Sequence, residues 1–166
     1  MKCVHTFCAG LLMACVIGSV AGCGSKPNDP KPGNPPKPAE GGAHVHHGKG
    51  PNGGTLIDFG AQHAELTIDH AKQEVTVFIL TPEETDLKSN PVACKELTLN
   101  TKATTTTKDK KPIAAMKITL LPVDEKDGKA TKFVGTGPGL GPDEAEFEGI
   151  LLGEVNGKPA QGEFKE

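Results

Sequence analysis

Between Gln62 and His70 the chain alternates strictly. Ala64, Leu66 and Ile68 are apolar, while His63, Glu65, Thr67 and Asp69 are polar. A period of two is that of an extended strand with one buried face, and an amphipathic helix would need 3.6. No segment sustains the helical period. Gln73–Leu80 is β-branched and apolar, so across the turn at Ala71-Lys72 the two runs are expected to pair as a hairpin. Thr55–Phe59 reads as a strand before them. Lys95–Asn100, Ile113–Leu121 and Ala130–Val134 read as strands after them. A closing hairpin, Phe147–Val155 with Gln161–Lys165, is marked by the turn dipeptide Asn156-Gly157. Pro142–Glu146, with Pro first and acids following, is expected to make one helical turn. The fold class this implies is all-β. It is either an antiparallel sandwich of the immunoglobulin-like kind or an open barrel of about seven or eight strands, over residues 51–166.

The chain ahead of that domain is of another kind. Residues 24–50 hold six Pro and six Gly, too little apolar surface to offset the entropy of ordering them, and read as a disordered linker. At about 3.1 Å per residue, a polyproline conformation of this length reaches at most roughly 80 Å. Before it, Met1-Lys2 precedes an apolar run from Phe7 to Val20, the length of a signal-peptide core and short for a membrane span. The run ends in Val20-Ala21-Gly22-Cys23, which resembles the lipobox of bacterial lipoproteins. The resemblance implies that residues 1–22 are a signal peptide and that Cys23 becomes the lipidated first residue. The protein is then exported and lipid-anchored, with the membrane as its partner through the acyl chains on Cys23. Cys3, Cys8 and Cys15 leave with the signal, so Cys94 is the one thiol left, without an intramolecular disulfide partner. It is expected to be a small buried hydrophobe at a strand start.

Composition removes several functions. All 18 basic residues are Lys, and the chain has neither Trp nor Tyr. Arginine forks and aromatic stacking, on which nucleic-acid readout leans, do not exist here, so no nucleic-acid partner is expected. Ser25 and Ser89, the serines beyond the signal, sit in Pro-rich or loop contexts without a nucleophile elbow. The Gly-rich stretch Gly135–Gly141 has Pro in its middle and no Lys, and reads as a flexible connection rather than a phosphate loop. An enzyme is not expected.

Histidine carries what chemistry remains. His44, His46 and His47 lie together in Gly41-Gly42-Ala43-His44-Val45-His46-His47-Gly48. Neutral imidazole is the commonest metal ligand, and a short His-rich tract is a compositional cue for binding Zn²⁺ or Cu²⁺. Three such residues in free solution bind at about micromolar strength. A tighter site needs another group from the domain, and His63 and Glu65, two apart on one strand face, are the nearest in sequence. His70 falls on the other face at a strand end, and surface or turn placement is the ordinary expectation for each of these histidines.

The segment His46-His47-Gly48-Lys49-Gly50-Pro51-Asn52-Gly53-Gly54, followed by His63-Ala64-Glu65-Leu66, resembles a module of uncharacterised bacterial lipoproteins. Similar segments occur near periplasmic adaptor subunits of heavy-metal efflux pumps. The closing Val155–Pro159 and Gly162-Glu163-Phe164 resemble the end of those lipoproteins. The resemblance implies an exported β domain linked to metals. Asn52 stands where the module often has His, which removes one potential ligand. Two readings follow. One is a tethered, metal-binding lipoprotein using His44, His46, His47 and His63. The other is a structural or interaction module docking an envelope protein, with incidental histidines.

Overall fold

The computed structural model describes residues 48–166. Cys23, His44, His46 and His47, together with the signal peptide and most of the linker, lie outside the described residues. What is described is all-β. Ten strands run in chain order: β1 (Thr55–Phe59), β2 (Gln62–Asp69), β3 (Glu74–Leu80), β4 (Leu97–Thr101), β5 (Thr104–Thr105), β6 (Pro112–Ile113), β7 (Lys117–Val123), β8 (Lys132–Thr136), β9 (Glu148–Val155) and β10 (Lys158–Lys165). Eight of them form one antiparallel sheet in the order β1-β2-β3-β8-β7-β4-β9-β10, while β5 and β6 make a small hairpin of their own.

The sheet curls until its first and last strands lie side by side, so the architecture is a nearly closed barrel. Of the two expected architectures, the barrel is the one adopted. β7 makes the corner, pairing through Lys117–Asn100 to Leu120–Leu97 with β4 and through Leu121–Val123 with β8. The seam between β1 and β10 is tight without a ladder of hydrogen bonds. A Cβ on Gly162 would stand 2.2 Å from the Asp58 carbonyl oxygen. Inside the barrel, Ile57, Phe59, Leu66, Val77, Ile79, Leu97, Leu99, Leu120, Phe133 and Leu151 are buried, each supplied by the inward positions of its strand. Four of the five Phe expected to survive cleavage are in this core. Phe78 lies on the outer face instead, with the Lys132 ammonium 5.9 Å above its ring.

Turn chemistry sets the register. β1 and β2 are joined by Gly60-Ala61, with Gly60 at φ +67°, the Gly-first form of a two-residue hairpin turn. Asn156 and Gly157 take φ +51° and +75° between β9 and β10, as the dipeptide requires.

Three local expectations are corrected. Residues 113–121 do not form one strand: Ile113 ends β6 and Lys117 begins β7, with Ala114–Met116 between them. Pro142–Glu146 makes a turn rather than a helical turn, and the short 3₁₀ helix falls earlier, at Pro138–Leu140. The Gly-rich stretch there is packed, not a loose connection. A Cβ on Gly137 would meet Ile118 at 2.7 Å, and one on Gly139 would meet Met116 Sδ at 2.5 Å. Glycine at these positions lets Met116 and Ile118, at the start of β7, lie directly on them.

Candidate functional site

The β1–β2 hairpin builds the candidate site. Its two-residue turn forces the register Phe59↔Gln62, Asp58↔His63 and Leu56↔Glu65. Directly opposed residues in an antiparallel pair share a face, so Asp58, His63, Leu56 and Glu65 all point outward from the barrel. Around His63 and Glu65 that face is closed to water, while Asp58 stays partly exposed. His63 is only 6% exposed and Glu65 is fully buried, which corrects the expectation of surface histidines on a solvated face. Two segments cover it: residues 48–54 and the loop after β3 beginning at Thr81.

His63 is held by both ring nitrogens. Nδ1 lies 3.1 Å from the Thr81 carbonyl oxygen, which can only accept, so Nδ1 carries the hydrogen and donates. Nε2 then faces Asp58 Oδ1 at 3.3 Å. A proton on Nε2 makes this an ion pair, and a metal ion in its place would be held by both atoms. The spacing suits either case. Two ligands about 2.0–2.1 Å from a tetrahedral ion stand about 3.3 Å apart. The Nδ1–carbonyl bond is also the contact that orients metal-binding imidazoles.

Thr81 is fixed in turn. Its N–H donates to the Lys88 carbonyl at 2.8 Å, and its hydroxyl donates to the Asp86 carbonyl and accepts from the Lys88 N–H. The imidazole therefore has a rigid support.

Glu65 is spoken for. Oε1 accepts from the N–H of Asn52 at 2.7 Å and of Gly54 at 2.8 Å, and Oε2 accepts from Asn52 Nδ2 at 2.8 Å. The loop closes on itself through Gly50 N–H to Gly54 O and Gly53 N–H to Gly50 O, both 2.9 Å. Gly50 rests on the carboxyl group, where a Cβ would come within 2.4 Å of Glu65 Cδ. The Pro-Asn-Gly-Gly turn and the His-Ala-Glu strand are thus two halves of one clasp around a buried carboxylate. Asn52, which seemed a missing ligand, supplies two of its three hydrogen bonds. Glu65 is corrected from candidate metal ligand to structural acceptor.

Gly48 and Lys49 lead into the clasp. Gly48 O accepts from the Leu56 N–H at 3.2 Å and Lys49 bridges Thr55, so the chain joins the domain on β1, two residues along the strand from Asp58. Among the described residues, backbone pairing therefore starts at Gly48–Lys49, ahead of Pro51.

His70 belongs elsewhere. Its Nδ1 lies 2.7 Å from Leu140 O, and its ring stacks on Phe147 with centroids 6.4 Å apart. Cys94 is not in a strand but half-buried in the loop before β4, its thiol donating to Glu96 O at 3.2 Å, and burial pushes its pKa up. It borders an open groove of about 970 Å³ along β4 and β9, which gathers no convergent ligand groups. Among the described residues no three His, Cys, Asp or Glu are grouped to hold a metal ion. His63 and Asp58 make a pair, and the pair needs further ligands. Asp58 was missed in the sequence, although the Gly60-Ala61 turn would have given its register opposite His63. No protein-family model, curated protein or solved structure matches the chain.

Proposed function

We propose that this chain is an exported lipoprotein, anchored to a bacterial membrane through lipid on Cys23, that binds a divalent metal ion, Zn²⁺ or Cu²⁺. His63 and Asp58 supply the domain's ligands, and His44, His46 and His47 supply the rest. One observation carries the metal reading: Nε2 of His63 and Oδ1 of Asp58 converge at 3.3 Å on the strand where the chain just after the histidine tract is hydrogen-bonded. The imidazole, held through Nδ1 by a carbonyl, is a borderline donor that suits Zn²⁺ and Cu²⁺ better than Mg²⁺ or Ca²⁺, and a carboxylate beside it is compatible with a Zn²⁺ site. The lipobox at Val20–Cys23 and the Pro-rich stretch after it support the anchored placement.

Calorimetric titration of Zn²⁺ and of Cu²⁺ into the full chain in detergent micelles tests the metal reading. The expected dissociation constant is about 1 μM or tighter. His63→Ala and Asp58→Asn each weaken it about tenfold, and the triple His44, His46, His47→Ala variant abolishes it. A wild-type chain that takes up neither ion refutes the reading and leaves the interaction module in its place.

A further inference from the structure

We infer that Thr81 and Pro82 are positioning residues for His63: they aim one backbone carbonyl at Nδ1, so that the ring offers Nε2, beside Asp58, to a divalent metal ion. The inference rests on the metal reading above for the His63–Asp58 pair alone.

The Thr81 carbonyl oxygen, 3.1 Å from Nδ1, decides which ring nitrogen is left for a ligand. Two features of the chain hold that carbonyl. The first is Pro82. A residue before proline is kept out of the helical region, so ψ of Thr81, which sets the direction of its carbonyl, is confined to extended values. The second is the Thr81 hydroxyl, which donates to the Asp86 carbonyl at 2.8 Å and accepts from the Lys88 N–H at 3.0 Å. The Thr81 N–H donates to the Lys88 carbonyl at 2.8 Å, so all three bonds that close residues 81–88 end on this one residue. Residues 82–86 are exposed, so hydrogen bonds rather than packing order the loop. Its far end is tied back to the sheet. Asn90 donates through its N–H to Ile79 O at 2.9 Å and through Nδ2 to Gln62 Oε1 at 3.1 Å, next to His63 in the chain. Leu80 is the cross-strand partner of His63, so the support springs from the same rung of the β2–β3 ladder as the ring. What this closure fixes is the direction of one carbonyl, and that carbonyl is the one on Nδ1.

The test uses Thr81→Val, Thr81→Ser, Pro82→Ala and His63→Ala, all in the full chain. Solvent exchange of the His63 Nδ1 proton without metal, followed by nitrogen-edited NMR, reads the support, and Zn²⁺ titration reads the site. Val keeps the shape of Thr and loses both hydroxyl bonds, Ser keeps them, and Ala at position 82 frees ψ of Thr81. Thr81→Val and Pro82→Ala are expected to speed the exchange and to weaken Zn²⁺ several-fold, up to the roughly tenfold loss of His63→Ala. Thr81→Ser stays at wild type in both readouts. On a His63→Ala background neither Thr81→Val nor Pro82→Ala adds a further loss, because both act through that ring.

Faster exchange with unchanged Zn²⁺ affinity overturns the positioning role while the metal reading stands. A loss of affinity that persists on the His63→Ala background overturns it too, since it shows the loop acting on the fold at large. A wild-type chain that binds no Zn²⁺ overturns both. If Thr81→Val does not fold, Pro82→Ala, at an exposed residue with no N–H to lose, carries the same comparison.

Discussion

Replacing Gly162 by Ala probes the seam that makes this sheet a barrel. The added methyl would stand 2.2 Å from the Asp58 carbonyl oxygen and 2.5 Å from Ile57 Cγ2. Ordinary contact begins near 3.4 Å, so β10 and β1 must separate by about 1 Å. No hydrogen-bond ladder resists that separation, but Ile57 and Phe59 beneath it are close-packed, and opening the seam loosens their contacts. Overpacking of this kind costs about 2 kcal/mol, which for a domain of this size lowers Tm by roughly 6–10 °C. Gly157→Ala is the control. Nothing lies within 4 Å of its Cβ, and its φ of +75° charges only the backbone, about 1 kcal/mol. Thermal and urea unfolding followed by circular dichroism give both numbers. The His63 ring resonances should also shift in Gly162→Ala, through Asp58, and stay in place in Gly157→Ala. A Gly162→Ala chain as stable as wild type, with an unmoved His63, would refute the close seam and leave β1 and β10 as two open edges.

Two further outcomes follow from the cysteines. Burial raises the Cys94 pKa above the ordinary 9.0, so its thiolate fraction at pH 8 is below that of a free thiol. Alkylation there should run several-fold slower than for a model thiol, with its pH midpoint displaced upward. A rate equal to the model thiol's would refute the burial. Cys23→Ala should move the protein from the membrane fraction to the soluble fraction of its host and remove a diacylglycerol mass from the N-terminal peptide. Retention in the membrane would refute lipid anchoring through that residue.

The fold was legible where the chain's local chemistry agrees with its tertiary setting. Alternation gave β2, and Asn156-Gly157 gave the last hairpin within a few residues. What could not be read is what lies over an outward face. His63 and Glu65 have the polarity of solvated positions, and nothing in a period of two says that the 48–54 and 81–90 segments fold back across them. The pairing of β4 with β9, some fifty residues apart, and the corner at β7 are likewise long-range choices that no local pattern encodes. For the site, His63 was found by residue type. Glu65 was found for the wrong reason, since a carboxylate two residues from an imidazole looks like a ligand until its partners are known. Asp58 was recoverable from the turn.

The clasp has a mechanical consequence. Any pull delivered along the chain from ahead of Gly48 meets the start of β1, at Leu56 and Thr55, and then the 50–54 loop. The Gly48–Leu56 and Lys49–Thr55 contacts would break in succession, as a zipper opens, and load would then fall on the three hydrogen bonds to Glu65. Behind them β1 is held along its whole length by β2. The loop is therefore a slack length that yields first, letting out several residues of chain while the barrel behind it stays folded.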